Sequence, residues 1–267
     1  MTNRVATLDD WDSDAYDVGS YMQNLCANQV LDKVIFSPNS YILDLGCGNG
    51  RSTADLLKYA DGAKILGVDI SPRMVASANE RFSNESLKFE ELNVTTLSEH
   101  SVFDFAVSFF CLDWIEDQFS MHKRLFQALK QGGRALLVVS TGNDPIAKVV
   151  ETTAASEKWA TVLGGHRIPA ALHETNIYKE AASDAGFVLE KFETIQIPLE
   201  LPDISAINRF VSALPLFTDV LTPVQNTEIV SDITNSFEAY CDANYGGKVV
   251  CLGEMIVIEL HKPGKLL

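Results

Sequence analysis

A chain of 267 residues, 46% hydrophobic and 21% charged, carries enough apolar material for one elaborated domain and leaves no room for a long disordered region. Its 36 acidic against 21 basic residues give a net charge of −15, which argues against a sequence-independent grip on nucleic acid and, more weakly, against anionic membrane surfaces. Five cysteines (Cys26, Cys47, Cys111, Cys241, Cys251) form no C-x-x-C pair, Met1–Trp11 lacks the apolar centre of a leader, and no apolar run nears the roughly 18–20 residues of a bilayer span, so reduced thiols, a cytoplasmic location and no membrane partner are expected.

In chain order, Tyr16–Phe36 reads as one amphipathic helix ended by Ser37-Pro38. From residue 40 onward, short β-branched or apolar runs alternate with longer amphipathic stretches. The expected strands are Tyr41–Leu45, Lys64–Asp69, Leu87–Leu92, Phe103–Phe109 and Ala135–Ser140, and the helices are Arg51–Tyr59, Pro72–Phe82 and Gln118–Lys130. Such alternation is the mark of βαβ units, so the expected class is α/β with a parallel sheet. Further on, Asn143–Gly165 and Thr175–Ala185 read as helices, Phe187–Leu201 as a strand, Asp203–Leu214 and Gln225–Asn244 as helices, and Val249–His261 as a last strand. Gly186 is placed to stop a helix. Material at about 10–36, 141–175 and 200–245 exceeds what a sheet needs and is expected to cover the site. The core would then lie at about 37–140, 175–200 and 247–262, within one domain spanning 1–267.

The segment Asp44-Leu45-Gly46-Cys47-Gly48-Asn49-Gly50 follows a buried strand and opens a helix, which is where an open α/β sheet places its ligand. Glycines there allow a sharp turn and a close backbone approach to that ligand. A dinucleotide fingerprint needs its third glycine five places after the first; Arg51 holds that position and Gly50 comes four places after, which argues against a nicotinamide enzyme. Cys47 reads as a small loop filler rather than a nucleophile. Asp69 follows 19 residues after Gly50, at the end of the second strand.

The pattern D-x-G-x-G-x-G and the motifs that follow it in order resemble the class I S-adenosylmethionine-dependent methyltransferases, over roughly residues 15–140. That resemblance implies a Rossmann-like, mostly parallel seven-stranded sheet with helices on both faces and a helical cover, S-adenosylmethionine as cofactor, and no metal. It implies that the loop of Asp44, Gly46, Cys47, Gly48 and Gly50 approaches the methionine part of the cofactor, that Asp69 binds the ribose hydroxyls and that Ile70 packs on the adenine. Asn93-Val94 stands where the family has an acidic residue beside a small apolar one; an amide oxygen can still accept from the adenine amino group. Ser108 and Phe109 match the place where backbone groups meet the methionyl amine. Arg51 is placed either to contact the cofactor carboxylate or to be solvated.

The stretch Ser108-Phe-Phe-Cys-Leu-Asp-Trp-Ile-Glu-Asp117 resembles the small-molecule group that includes the trans-aconitate and juvenile hormone acid methyltransferases, and Tyr16 with Gln23 reproduces a tyrosine–glutamine spacing found there. What this implies is O-methylation of a small carboxylic acid, with Gln23 and Trp114 donating hydrogen bonds to the acceptor carboxylate and Tyr16 beside them. Asp113 departs from the hormone enzyme, which has histidine there, and would repel a carboxylate if it faced the pocket. A carboxylate is already ionised at neutral pH and needs no general base. Were the acceptor an amine or phenol, His166 or His173 would be the candidate base; a catalytically silent cofactor-binding module is the third reading. Phe210, Leu214, Leu216, Phe217 and Tyr240 are candidates to line an apolar pocket or simply to pack cover helices. Nothing in the sequence specifies an oligomeric state.

Overall fold

The apolar runs pair into one seven-stranded sheet in the order β3-β2-β1-β4-β5-β7-β6. The strands are β1 (Tyr41–Leu45), β2 (Lys64–Asp69), β3 (Leu87–Glu91), β4 (Phe103–Phe109), β5 (Leu129–Ser140), β6 (Val188–Glu200) and β7 (Val250–His261). The first five pair in parallel, and β7 runs antiparallel between β5 and β6. This computed structural model describes residues 11, 13–166, 168 and 174–264; His173 lies outside them.

Alternating strand residues feed two apolar clusters, one on each face, as period-2 side chains require. Ile42, Phe105, Val107, Leu136 and Val138 join the cluster that also takes α2 (Tyr21–Leu31), α3 (Arg51–Leu56) and α4 (Pro72–Phe82). The cover packs on this same cluster through α6 (Pro145–Ala154), α7 (Glu157–Leu163), α9 (Ser205–Ala213) and α10 (Pro223–Tyr245). Leu43, Leu45, Ala106, Leu137 and Val139 face the other way, against α5 (Gln118–Ala128) and α8 (Asn176–Ala185). Helix starts are chemically marked: Ser71, Asp144 and Thr222 accept from backbone N–H groups and are each followed by proline.

Several boundaries differ from the sequence reading. The helix expected over Tyr16–Phe36 is two, α1 (Ser13–Gly19) and α2, because Gly19 is pressed onto α9: a Cβ there would lie 2.5 Å from the Ala213 Cβ and 2.8 Å from the Arg209 carbonyl oxygen. The helix expected over Asn143–Gly165 breaks at Ala155–Ser156, where Ser156 turns extended to start α7. That break lets the α7 residue Trp159 bury its ring and donate from Nε1 to Asp232 on α10, at 2.8 Å. The helix after Gly50 ends at Leu56, its last turn tightening into i→i+3 bonds such as Tyr59 N to Leu56 O. Helix α5 stops at Ala128 rather than Lys130, since Leu129 already pairs with Phe103 and β5 starts six residues before the expected Ala135. Among the described residues no helix is long and apolar enough to cross a membrane.

Strand order reverses at β1, with β2 on one side and β4 on the other, so the carboxyl ends of β1 and β4 open a crevice. The cover reaches this crevice through α1 and α2. Ser52 on α3 donates to Asn24 on α2 at 2.5 Å. Gly19→Ala should force α1 off α9 and cost about 1–3 kcal/mol of overpacking strain. A drop in urea midpoint with unchanged m-value checks this.

Candidate active site

The loop leaving β1 takes left-handed backbone at Gly46 (φ 76°), Gly48 (φ 53°) and Gly50 (φ 81°), a region that L side chains rarely adopt. Sterics add to the constraint. A Cβ on Gly46 would overlap the Cys111 side chain, and one on Gly50 would lie 2.8 Å from both the Ala78 Cβ and the Phe89 ring. The backbone N–H groups of Gly46 and Cys47 both bond the Val68 carbonyl, so the loop folds across the end of β2.

Two carboxylates hold it there. Asp69 accepts from the Gly48 N–H at 2.8 Å through one oxygen and from the Ser71 N–H at 2.9 Å through the other. Asp44, buried beneath the loop, accepts from the Thr53 hydroxyl at 2.7 Å and ties the end of β1 to the first turn of α3. Burial pushes its carboxyl up to about 7, with the Thr53 hydrogen bond opposing the shift. Cys47 is buried with its thiol pushed well above the usual range by desolvation, as suits a filler and not a nucleophile.

The other residues singled out in the sequence lie along the same carboxyl edge. Asp69 is in register with Glu91 and its carbonyl receives the Leu92 N–H, which brings Ile70, Asn93 and Val94 beside it. Ile70 is exposed, whereas Val94 is buried. The Asn93 oxygen accepts from the Thr95 N–H and hydroxyl, so it caps a short 3-10 turn. Ser108 is fully buried and donates to the Leu45 carbonyl at 2.9 Å, locking the end of β4 to the end of β1. Arg51 is half-buried, its N–H on the Asn49 side chain. Just past Phe109, Phe110 holds a left-handed φ of 56°, the kind of backbone strain that gathers at functional turns.

Next to this loop lies a cavity of about 650 Å³, bounded by Gln23, Phe110, Asp113 and Trp114 and walled by α6, α7, α9 and β7. Tyr16 connects it to the glycine loop: its ring faces Gly48, 3.4 Å from where a Cβ would stand, and its hydroxyl donates to the Gln23 side-chain oxygen at 2.9 Å. With that oxygen taken, the Gln23 amide presents N–H donors. Trp114 packs edge-on to Trp11 at 5.0 Å between ring centroids, and Trp11 in turn to Tyr16 at 5.6 Å. Trp11 was not singled out by the sequence reading; a lone aromatic ahead of a helix carries no periodic signal.

Among the described lining residues there is no lysine or arginine. Phe210, Leu214, Leu216 and Phe217 do line the wall, but Tyr240 faces a separate hollow of about 420 Å³ beside α6. His166 is on the wall with Nε2 at 3.0 Å from the Leu216 carbonyl and 3.6 Å from the Asp219 carboxylate. Asp113 accepts from the Ser140 N–H at 3.0 Å and lies 3.4 Å from the Tyr178 hydroxyl; desolvation pushes it up to about 7, with both contacts opposing. Among the described residues, no group of three or more His, Cys, Asp or Glu could hold a metal.

Residues 42–133 match a family described as a methyltransferase domain. The chain is 26% identical to a trans-aconitate 2-methyltransferase of Variovorax paradoxus, over 88% of this chain and 92% of that one. It is 34% identical to a juvenile hormone acid O-methyltransferase of Bombyx mori, over 44% of each. Among solved structures it is similar to the [4+2]-cyclase SpnF, with a TM-score of 0.58 and 16% identity over 90% of this chain and 81% of that one, a likeness of fold alone.

Asp44 and Asp113 ionise near pH 4 in the unfolded chain and near 7 when folded, so the folded state holds more protons between those values. Stability should therefore fall by a few kcal/mol per group as pH rises from about 4 to about 7, then level off. Asp44→Asn should gain on the wild type between pH 5 and pH 8, read from urea midpoints at both. A constant difference would refute the assignment.

Proposed function

We propose that this chain, a class I S-adenosylmethionine-dependent methyltransferase of the group that includes the trans-aconitate and juvenile hormone acid enzymes, acts as one domain that O-methylates a small carboxylic acid with a largely apolar body. The observation that carries this reading is the cavity beside the glycine loop, apolar over most of its wall, with the neutral donors Gln23 and Trp114 at its loop end. Neutral donors orient a carboxylate without quenching its nucleophilicity as a bound cation would. A polycarboxylate would need more positive charge than the described lining offers.

The left-handed, Cβ-free loop fits a ligand that must approach the backbone closely. Gly46, Cys47, Gly48 and Gly50 would hold the methionine part, with the Ser108–Phe109 backbone near its amine. Asp69, whose oxygens keep lone pairs beyond their backbone donors, would take the ribose hydroxyls, with Ile70, Asn93 and Val94 around the adenine. Asp44 would act from beneath the loop. When bound, S-adenosylmethionine supplies a methyl group made electrophilic by its sulfonium. The residues of this chain would then supply alignment and exclusion of water. The net charge of −15 and the acids at the loop suit a cationic cofactor in the cytoplasm.

A second reading, methylation of an amine, is favoured by one observation: four acids, Asp113, Asp144, Glu151 and Glu254, share the cavity wall with His166. A turnover screen of monocarboxylic acids, polycarboxylic acids and amines separates the two, with apolar monocarboxylates expected to lead. Turnover of amines alone would sink the acid reading, and no turnover of any class would leave a silent cofactor-binding module. Asp69→Ala should weaken S-adenosylhomocysteine binding at least about tenfold by calorimetry, since it removes charge-assisted bonds and unpins Gly48. Trp114→Phe and Gln23→Leu should each raise the acceptor KM roughly 10–100-fold, the worth of a hydrogen bond to a charged group.

A further inference from the structure

Gln118 opens α5 and is almost completely buried. Its Nε2 donates to the Leu112 carbonyl and to the Ile115 carbonyl, both at 2.8 Å. A primary amide carries two N–H bonds on one nitrogen, so both can be used at once. The two carbonyls flank Trp114, which ends the single 3-10 turn Leu112–Trp114. Within that turn the Trp114 N–H bonds Cys111 O at 2.9 Å and the Ile115 N–H bonds Leu112 O at 3.1 Å.

Gln118 is itself held. Its backbone carbonyl lies 2.8 Å from Nδ1 of the fully buried His122. Desolvation lowers that imidazole to about 4, so the ring is neutral at physiological pH and donates through Nδ1. From the opposite side Asp113 is fastened to the Ser140 N–H on β5 and to the Tyr178 hydroxyl on α8. The turn is thus pinned at residues 112, 113 and 115, around an indole that borders the cavity.

One further detail separates positioning from packing. The Gln118 side-chain oxygen is buried and has no hydrogen-bond partner among the described residues. An unpaired buried acceptor is a cost that a methionine of the same length would avoid, so space filling alone does not account for an amide here. We infer that Gln118 is a positioning residue that sets the Trp114 indole for the acceptor through the Leu112 and Ile115 carbonyls. This rests on the reading of Trp114 as a donor to the acceptor carboxylate.

The test uses the full chain saturated with S-adenosylhomocysteine, and dodecanoate as probe. Trp114→Phe comes first and should weaken dodecanoate binding about tenfold or more in calorimetry. Gln118→Met should weaken it to a similar extent, while S-adenosylhomocysteine affinity stays within about twofold. In the Trp114→Phe background, Gln118→Met should add nothing, because the two act on one contact. A wild type that does not bind dodecanoate, or a Trp114→Phe variant that binds it normally, overturns the acceptor reading and this inference with it. Weak binding by Trp114→Phe with normal binding by Gln118→Met, or losses that simply add, overturns this inference alone. Should Gln118→Met not fold, Gln118→Glu replaces it: a protonated carboxyl keeps one donor, so dodecanoate should bind tighter at pH 6 than at pH 8 relative to wild type. A flat ratio overturns the inference.

Discussion

The site depends on one close approach, the contact between Gly46 and Cys111. There the loop leaving β1 and the segment leaving β4 meet with no room for a Cβ. Ser108, one turn of chain earlier, reinforces it by donating to the Leu45 carbonyl. Because β1 and β4 are adjacent parallel strands at the point where the strand order reverses, their exits necessarily share one crevice. The glycine loop and the cavity wall are therefore two sides of the same few residues: Cys111 packs on the loop while Phe110, Asp113 and Trp114 border the cavity.

The electrostatics of that crevice follow from its dryness. Asp44, Asp69 and Asp113 are all pushed up, in each case chiefly by desolvation. Each is partly relieved by neutral donors: a threonine hydroxyl, backbone N–H groups, a tyrosine hydroxyl. Such an arrangement favours the protonated form of each carboxyl relative to a solvated one.

The cover links the glycine loop to the cavity mechanically. Tyr16 faces Gly48 with its ring and fixes Gln23 with its hydroxyl, while the adjacent Asn24 receives Ser52 from the helix that follows the glycine loop. Its acceptor-facing wall comes from α6, α7 and α9, segments that are not in the part of the chain matched as a methyltransferase domain. That division fits the low identity, 26%, shared with a relative matched over almost its whole length.

How much was legible in advance divides along physical lines. The five parallel strands, the helix starts at Ser71 and Asp117, and the glycine spacing from Gly46 to Gly50 are local signals, since hydrophobic period, caps and left-handed backbone act within a few residues of one another. They were enough to determine the sheet, its carboxyl edge and the glycine loop that leaves β1. The breaks at Ser20 and Ala155, the early start of β5, the Trp11–Trp114 stack, the Asp113–Tyr178 contact and the displacement of Tyr240 from the main cavity were decided only by tertiary structure. Each depends on residues 26 or more positions apart meeting, or on one helix pressing on another, and no short window along the chain contains both partners. Sequence alone thus determined the glycine loop and its neighbouring strand ends, because their signals lie within a few residues of one another. The shape offered to the acceptor belongs to the packing of α1, α2, α6, α7 and α9 around it, and exists only once the chain has closed.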